Sequence, residues 1–325
     1  MSPLARQLIG ALLRGGAVSM SQVGVIERAQ MQAAAMELGD MGIALSVSKQ
    51  GDVRLAKVVD ALDADELAAR LSEIETLEVE TLQIDLCTAS TNADALAASP
   101  PSAEQCSVRM AEYQTAGQGR RGKVWSSPFA TGLCISLALR MSADADLGRL
   151  PLAFGVGLRR ALMQLGLARC QIKWPNDLIA DGRKLGGLLL NARQLNSGDT
   201  LVVAGLGLNV YRAPPRANAQ ALIPTALAHW LGDQMPDRTT IAAALINAMR
   251  ETADTYGRSG FAAFAADWPQ ADYLHNREIE VVDESTVSTG VARGIDDQGR
   301  LLMETYDGVV SLSGGDVSVR PVRPA

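Results

Sequence analysis

Histidine is almost absent from this chain of 325 residues, which has only His229 and His275. Both lie outside the central region that holds the motifs described below, so a Ser-His-Asp triad or a histidine-ligated metal is not expected. The four cysteines are widely separated and form no Cys-x-x-Cys pair. That spacing is typical of buried thiols in a reducing compartment and argues against a disulfide framework or a zinc site.

Long apolar runs and an excess of one charge are missing as well. The chain has 30 Lys and Arg against 36 Asp and Glu, a net charge of −6. This balance argues against nucleic acid as a whole-surface partner but is compatible with a local basic patch. No apolar run reaches the length of a membrane span. Arg6 and Arg14 interrupt the opening segment, which is typical of an amphipathic helix rather than a signal peptide, and we expect a cytoplasmic protein.

The pattern of apolar residues divides the chain into three predicted domains. Residues 1–80 contain two helical patterns, a strand hairpin and a connecting helix capped at Asp63 or Asp65, an order typical of a small winged helix-turn-helix domain. Residues 81–272 alternate apolar strand-like runs with helices, which indicates an α+β or mixed α/β domain. Residues 273–325 contain five short strand patterns separated by Gly- and Asp-containing turns, which predicts a small β-barrel.

The stretch TAGQGRRGKVW, residues 115–125, matches two phosphate-binding patterns at once. Gly117, Gly119 and Gly122 spell the dinucleotide fingerprint, and the run from Gly117 to Lys123 spells a P-loop without its final Ser or Thr. Both motifs need a helix directly after the glycines, because the phosphate binds at the N-terminus of that helix. A proline and a glycine interrupt the segment where it would form, so neither motif applies.

The loop nevertheless has the chemistry of an anion site. Its glycines leave backbone amides open to a ligand, and Arg120, Arg121 and Lys123 supply three cations within four positions. Such a loop suits an anion that is covered after it binds, for example a nucleotide or an acyl phosphate. Taken alone, it is explained equally well as a solvated basic turn.

Four further stretches place polar residues near the ends of predicted elements: STN (90–92), KWPNDL (173–178), RKLGGLLL (183–190) and AGLGLNV (204–210). In isolation, the first is a helix cap, the third is a turn with a lysine, and the glycines of the fourth let a ligand approach a strand. The second brings a cation, an extended turn and an amide–carboxylate pair together.

In this order and spacing, the loop and the four stretches resemble the biotin–protein ligase family. A further match, GVARGIDDQGRLLMET followed by SLSGGDVSVR, lies near the C-terminus, so that the resemblance covers most of residues 84–320. The arrangement is similar to that of the three-domain bacterial members, which are both ligase and biotin-operon repressor. The resemblance implies an α+β fold with a central mixed-sheet catalytic domain of the biotin/lipoate-ligase type, a winged-helix-like N-terminal domain and an SH3-like C-terminal barrel.

The resemblance also implies a two-step reaction with ATP and biotin as substrates. The biotin carboxylate attacks the α-phosphorus of ATP to give biotinyl-5′-AMP and pyrophosphate, and a lysine of a biotin carboxyl carrier protein domain then attacks this anhydride. Because two anions approach each other, cations must neutralise them; we assign this role to Arg120 and Lys184, supported by Arg121. Asp177 is expected to orient the incoming amine or help remove its proton. Mg²⁺ is expected to bridge phosphate oxygens, and no protein cluster of metal ligands is predicted.

The binding positions of the family map onto this sequence residue by residue. The biotin set is Ser90, Thr91, Asn92, Gln114, Gly117, Arg120, Trp125, Lys184, Gly187, Gly205 and Gly207. The nucleotide set is Gln118, Gly119, Arg121, Lys173, Asn176, Asn209 and Arg320. Within it, Asn209 falls where the family contacts adenine, and Arg320 falls where an arginine of the C-terminal domain reaches towards the nucleotide.

Two other functions stay open on the sequence alone. One is a DNA-binding regulator whose central domain senses biotinyl-AMP. The helix that would read DNA has Arg28 as its only cation and Gln30 and Gln32 as its only suitable base readers, so packing or carrier recognition is favoured over operator binding. The other is a lipoate or octanoate transferase, a group that lacks this loop and the KWPND context. Family members of this kind can form homodimers through the central sheet, which the composition here does not require.

Gln118 departs from the family, whose loop usually has arginine at this position. A missing guanidinium removes one bidentate contact to phosphate or carboxylate, so we expect preserved catalysis but weaker binding of ATP or weaker retention of the adenylate. The variant Gln118→Arg is therefore expected to bind ATP more tightly or to release the adenylate more slowly, as measured by equilibrium binding and a trapping assay. No change in either quantity would contradict this expectation.

Overall fold

The computed structural model describes residues 1–15, 17–18, 28–48, 52–72, 76–218, 221–283, 286–314 and 318–321. Its helices are α1 (Pro3–Gly15), α2 (Arg28–Asp40), α3 (Ala64–Ser72), α4 (Thr91–Ala97), α5 (Leu150–Gln164), α6 (Ala228–Leu231), α7 (Arg238–Ser259), α8 (Ala262–Ala265) and α9 (Trp268–Ala271). Its strands are β1 (Ala17–Val18), β2 (Leu45–Val47), β3 (Val53–Leu55), β4 (Glu78–Asp85), β5 (Gln105–Ala111), β6 (Gly132–Met141), β7 (Cys170–Lys173), β8 (Asp177–Ala180), β9 (Arg183–Gln194), β10 (Thr200–Asn209), β11 (Glu278–Asp283), β12 (Thr286–Ile295), β13 (Leu301–Thr305), β14 (Gly308–Leu312) and β15 (Ser318–Pro321).

The first five elements form a small N-terminal unit. Its three short strands make an antiparallel sheet in the order β1-β3-β2. Leu8 and Leu12 of α1 and Met31 and Leu38 of α2 are buried in one cluster beside this sheet. Spacings of three, four or seven residues place such side chains on one face of a helix. The predicted succession of two helices and a hairpin is confirmed.

The connecting helix α3 packs on the central unit. Asp63, one of the two predicted caps, accepts a hydrogen bond from the Glu66 N–H at its Oδ1 (2.9 Å). Leu67 and Leu71 are buried in the main core of the protein, and α3 lies against α7.

A seven-stranded mixed sheet forms the centre of the protein, in the order β4-β5-β6-β10-β9-β8-β7. β4 and β5 are parallel, and the other five pairs are antiparallel. β6 is buried along almost its whole length, because both faces of the sheet are covered there. This explains why its sequence is a nearly continuous apolar run rather than an alternating one. The predicted mixed α/β character is confirmed.

Helices cover both faces of this sheet. On β6, Leu137 and Leu139 face the main core beneath α5 and α7, whereas Ala138 faces α4 together with Leu201 and Val203 of β10. Side chains alternate along a strand, so these two sets lie on opposite faces. The described ranges contain no helix that is long and apolar enough to cross a membrane.

The last five strands form an antiparallel sheet in the order β14-β13-β12-β11-β15, as the five short strand patterns predicted. Ile279, Val281, Leu301 and Met303 point inward and belong to the same buried cluster as the central unit. The sheet is therefore packed directly against the central unit, next to the site described below.

Candidate active site

The loop at residues 117–125 is a closed turn with its own hydrogen bonds. The Gly119 N–H donates to the Lys123 carbonyl (2.6 Å), and the Trp125 N–H donates to the Gly117 carbonyl (2.8 Å). The three residues at its tip form one turn of 3-10 helix. From there to β6 the chain is fully described and contains no α-helix, so neither nucleotide motif has the helix N-terminus that it requires.

Arg120 points from this loop towards two other parts of the chain. Its Nη1 donates to Oδ1 of Asn176 (3.1 Å), and its Nη2 donates to the carbonyl of Gly314 in the C-terminal unit. Burial lowers the pKa of Arg120, and the negative charge of Asp177 opposes this effect. Arg121, next along the chain, is exposed with a left-handed backbone (φ 58°).

Lys184 and Asp177 form an ion pair on the hairpin of β8 and β9. The Lys184 Nζ donates to Oδ1 of Asp177 at 2.6 Å. Burial raises the pKa of Asp177, but the charges of Lys184 and Lys173 lower it more, so the net shift is downward. Burial lowers the pKa of Lys173, against the opposing charge of Asp177. A side-chain carbon at Gly187 would lie 3.3 Å from the Asp177 Oδ1, which explains why glycine stands beside this pair.

The turn between β7 and β8 places Asn176 between the loop and the sheet. The Asn176 Nδ2 donates to the Leu188 carbonyl (2.6 Å) and its backbone N–H to the Lys173 carbonyl (3.1 Å). Trp174, in the same motif, is buried, and its Nε1 donates to the Gly299 carbonyl of the C-terminal unit (2.9 Å). The motif therefore supplies both a site residue and an anchor for the next unit.

A polar pocket lies at the N-terminus of α4. Gln114 accepts hydrogen bonds at its Oε1 from the backbone N–H (2.8 Å) and the hydroxyl (3.1 Å) of Thr91, and its Nε2 donates to Sγ of Cys134 (3.3 Å). The Thr91 hydroxyl also lies 2.9 Å from the Ser136 hydroxyl. Ser90 caps α4 by accepting from the Ala93 N–H. The prediction that the STN stretch caps a helix is thus confirmed for Ser90, and this cap lies beside the polar pocket.

Asn92 is buried behind this pocket, and protein groups satisfy its amide. Its Oδ1 accepts from the Asn191 Nδ2 (2.5 Å), and its Nδ2 donates to the Leu189 carbonyl (3.3 Å). A side-chain carbon at Gly205 would lie 2.6 Å from the Asn92 Nδ2. Glycine at position 205 therefore allows the amide to pack directly on β10.

Trp125 lies flat enough against β10 that only glycine fits beneath it. A side-chain carbon at Gly207 would overlap the indole ring, and one at Gly117 would lie 2.7 Å from the Gln114 Nε2. The Trp125 Nε1 is buried and makes no hydrogen bond with any described residue. The indole forms one wall of the pocket.

The remaining nucleotide residues are spread around the cationic end. Asn209 is buried; its Nδ2 donates to the Thr225 carbonyl (3.0 Å), while its Oδ1 has no partner among the described residues. Gln118 is exposed, and the backbone of Gly119 is held in the loop as described above. The backbone of Arg320 pairs with β11, but its side chain lies outside the described part of the chain.

Strand β9 joins the two ends of the site. Its Leu188 carbonyl accepts from Asn176 beside the cations, and the next carbonyl, of Leu189, accepts from Asn92 beside the polar pocket. The chain from Gln114 at the pocket to Arg120 at the cations connects the same two ends. The arrangement is a single elongated site with a neutral polar end and a positively charged end.

Cys134 and Ser136 are pocket residues that the predicted binding set did not include. Both occupy the same face of β6, two residues apart, in a largely apolar strand, and this period-two pattern of polar atoms is the signal that identifies them. Burial raises the pKa of the Cys134 thiol to about 12. It therefore stays protonated at neutral pH.

The described residues contain no group of three or more His, Cys, Asp or Glu side chains that could hold a metal ion. Asp177, a carboxylate at the cationic end, is paired with Lys184.

The Lys184–Asp177 pair leads to a prediction about the pKa of Asp177 and the stability of the protein in acid. In Lys184→Met the pKa of Asp177 is expected to rise, because the variant removes the largest of the positive charges that lower it and the hydrogen bond from Lys184. A carboxyl with a lowered pKa stabilises the folded state above its unfolded pKa and loses this contribution as pH falls through the folded value. The variant's deficit in free energy of unfolding should therefore be complete at neutral pH and shrink in acid.

A carboxyl ¹³C NMR titration and urea unfolding at several pH values measure both quantities. The control Lys123→Met removes an exposed cation that makes a smaller contribution at Asp177 and should shift its pKa less. Equal shifts in the two variants would contradict the assignment of the pair.

Two family profiles match the chain over this site. The Biotin/lipoate A/B protein ligase family matches residues 87–209, and the Biotin protein ligase C terminal domain matches residues 274–320. Among individual relatives, the bifunctional ligase/repressor BirA of Salmonella typhimurium is 30% identical over 96% of both chains. That of Escherichia coli is 34% identical over 65% of each chain. The biotin–[acetyl-CoA-carboxylase] ligase of Mycobacterium tuberculosis is 35% identical over 71% of this chain and 85% of its own.

A solved structure shows the same fold. The biotin protein ligase from Aquifex aeolicus in complex with biotin and ATP superposes with a TM-score of 0.63 at 23% identity, covering 75% of this chain and 99% of that one. The matched profiles include the loop, the KWPND turn, the glycine strand and the C-terminal sheet described above. The chain belongs to the biotin protein ligase family.

Proposed function

We propose that the elongated site performs both steps of protein biotinylation: formation of biotinyl-5′-AMP from biotin and ATP, and transfer of biotin to a lysine of a biotin carboxyl carrier protein domain. The observation that carries this assignment is the pairing of chemically different ends. A neutral hydrogen-bonding pocket suits the uncharged ureido ring of biotin, and the cation cluster next to it suits a carboxylate that meets a triphosphate.

The neutral end is suited to biotin through hydroxyl and amide groups. Ser90, Thr91 and Gln114 offer donors and acceptors without a formal charge, which matches a urea group that both donates and accepts. Trp125 forms the apolar wall, and Gly117, Gly205 and Gly207 leave room for close approach. Asn92 belongs to the same assigned set, and the amides of both Asn92 and Gln114 bond to protein groups that hold them in place.

The cationic end lowers the barrier to the first step. The biotin carboxylate and the α-phosphate repel each other, and negative charge develops on the phosphoryl oxygens and on the departing pyrophosphate. Arg120 and Lys184 neutralise this charge from opposite segments, while Lys173 and Arg121 add to the positive field. Gly187 lets the reacting groups approach Lys184 closely. Asn176 orients Arg120 through the hydrogen bond at 3.1 Å.

The adenine is assigned to the end of β10. The buried Oδ1 of Asn209 lacks a partner among the described residues, and the exocyclic amine of adenine is a donor that would satisfy it. Gln118 and Gly119 on the loop, and Arg320 of the C-terminal unit, complete the assigned nucleotide set.

Asp177 is assigned to the second step, the attack of the carrier lysine. Its lowered pKa makes it a weak proton acceptor. This favours the orienting role over removal of the proton. We assign it to orienting the incoming ammonium or amine by charge and hydrogen bonding. Removal of the proton is left to water or to a phosphate oxygen.

Mg²⁺ is assigned to the substrate rather than to the protein. Magnesium is commonly held by phosphate oxygens and water with one or two protein ligands, and the carboxylate of Asp177 is already paired with Lys184. The residues of this chain act on the phosphates directly through their cations.

The activity prediction concerns Lys184. Lys184→Gln removes one cation from the transferring phosphoryl group and is expected to slow adenylate formation by about 10²- to 10³-fold, measured in single-turnover quench assays with biotin and ATP. Arg183→Gln is the matched control, because Arg183 is an exposed cation one residue away and should leave the rate unchanged. Equal rates for Lys184→Gln and the wild-type enzyme would refute the assignment.

We propose three domains for the chain, residues 1–80, 81–272 and 273–325, with a winged-helix N-terminal domain and an SH3-like C-terminal barrel. The helices, short three-stranded sheet and five-stranded antiparallel sheet are compatible with these two folds. The helix α3 would be the connector, although its leucines pack into the central core.

We propose that the N-terminal domain serves packing rather than operator binding. Gln30 and Gln32 are exposed on α2, but Arg28 is the only Lys or Arg of this helix that could contact phosphates. A mobility-shift assay with the DNA upstream of biotin genes, in the presence of biotin and ATP, should therefore show only weak binding. Tight, salt-sensitive binding, as the repressor function of the relatives would require, would reverse this proposal.

A further inference from the structure

A fully buried arginine lies outside the site, at the start of α7. The Arg238 Nη1 lies 2.7 Å from Oε2 of Glu112, a close charge pair in which neither side chain is exposed to solvent. Its Nε and Nη2 donate to the carbonyl of Gly132 (3.1 and 2.8 Å), and its Nη1 donates to the carbonyl of Asp60 (2.6 Å). A buried cation of this kind is retained only when its partners satisfy it.

Two of these partners lie at the ends of the segment 113–131, which contains the loop at residues 117–125. Glu112 follows β5 directly, and Gly132 is the first residue of β6, so the whole segment 113–131 lies between them. The last paired residues of these strands are Met110 and Ile135. Arg238 therefore ties the two ends of the segment 113–131 together beyond the last β5–β6 pair, where the Ala130 N–H also donates to the Glu112 carbonyl (3.0 Å).

The third partner belongs to the segment that leaves the N-terminal unit. Oδ2 of Asp60 accepts from the Tyr211 hydroxyl (2.5 Å) and from the Arg238 backbone N–H (2.8 Å). Nearby, the Leu62 N–H donates to Oε1 of Glu112 (2.6 Å). Tyr211 stands two residues after Asn209, the residue assigned to adenine. The segment between β3 and α3, which contains Asp60 and Leu62, is called the linker below. The network thus connects the linker to both ends of the segment 113–131 and to the chain beside Asn209.

The N-terminal unit also packs on the loop directly. Phe129 and Ala130, at the end of the loop, are buried in the hydrophobic cluster of α1 and α2 rather than in the main core. The Phe129 N–H donates to the carbonyl of Met41 (2.9 Å). A carbon added at Gly42 would lie 2.9 Å from Cβ of Pro128. The end of the loop is therefore part of the core of the N-terminal unit.

We infer that Arg238 is a positioning residue that holds together both ends of the segment 113–131, an arrangement called the clamp below. Asp60 and Tyr211 make this clamp depend on the linker of the N-terminal unit being docked in place. On this basis the N-terminal unit keeps the loop closed over the acyl-adenylate, whether or not it contacts DNA. The inference rests on the proposed function for its consequence, retention of the adenylate, but the clamp itself is a property of the folded chain.

The test removes the linker contacts without disturbing the buried charge pair. Tyr211 is 37% exposed, so Tyr211→Phe deletes one hydroxyl at the surface, and Asp60→Asn weakens the same junction from the other side. Tyr306→Phe is the matched control, because Tyr306 lies fully exposed on the C-terminal sheet. Each full-length variant is assayed for release of bound biotinyl-AMP and for trypsin cleavage after the exposed Arg121.

We expect Tyr211→Phe and Asp60→Asn each to release the adenylate about tenfold faster, the effect at the lower end of the range for one hydrogen bond to a charged group. Trypsin cleavage of the loop should increase as well, and Tyr306→Phe should behave like the wild type. Unchanged release and cleavage in both linker variants would overturn the inference. So would a lowered Tm without faster release, since a merely structural role predicts that result.

The two proposals fail in different ways. If the wild-type chain forms no adenylate from biotin and ATP, the proposed function is wrong, and cleavage of the loop in the ligand-free chain still tests the clamp. If the wild-type chain is active and the linker variants match it in both measurements, only the clamp is wrong.

Discussion

The cation cluster at one end of the site depends on the carboxylate of Asp177. Arg120, Lys173 and Lys184 come from three separate segments and are half-buried, where like charges repel more strongly than in water. Asp177 accepts from Lys184 at 2.6 Å, and its charge opposes the effect of burial on the pKa of both Arg120 and Lys173. It keeps the cations charged and close together before an anion arrives.

The sheet holds this balance in place with few residues. The hairpin of β8 and β9 brings Lys184 back beside Asp177, and the turn before β8 holds Asn176 against the carbonyl of Leu188. From there β9 leads to the neutral pocket within two residues. Strand β9 thus sets the spacing between the neutral pocket, assigned to the uncharged ring, and the cationic end, assigned to the phosphates. The loop supplies the groups that cover both.

Local patterns in the sequence predicted the elements well. Alternation and helical spacing predicted the N-terminal helices and hairpin, the mixed character of the centre and the five C-terminal strands, and the missing helix after the glycine loop ruled out both nucleotide motifs. The grouping of Lys173, Asn176, Asp177 and Lys184 was expected from the family resemblance, and the structure brings these residues together. The assignment of each side chain to a ligand stays a prediction.

Contacts between distant segments left no local pattern to read. Arg238 meets Glu112 across more than a hundred residues, and neither belongs to a recognisable motif. Phe129 lies shortly after the glycine loop in the sequence but is buried in the N-terminal unit. Trp174 belongs to the KWPNDL stretch, and its side chain anchors the C-terminal unit through Gly299. Packing between the units determines where these side chains lie. Because the contacting residues are far apart in the sequence at no fixed spacing, no local motif reveals the contact.

The most direct test of a site with one neutral and one cationic end is acid-dependent exchange of pyrophosphate into ATP, comparing biotin, lipoate and octanoate. The cations would serve any carboxylate, so the neutral pocket must supply the selectivity. Exchange with biotin and not with the two fatty acids is the predicted result. Exchange with lipoate but not with biotin would contradict the assignment of the pocket and of the enzyme's substrate.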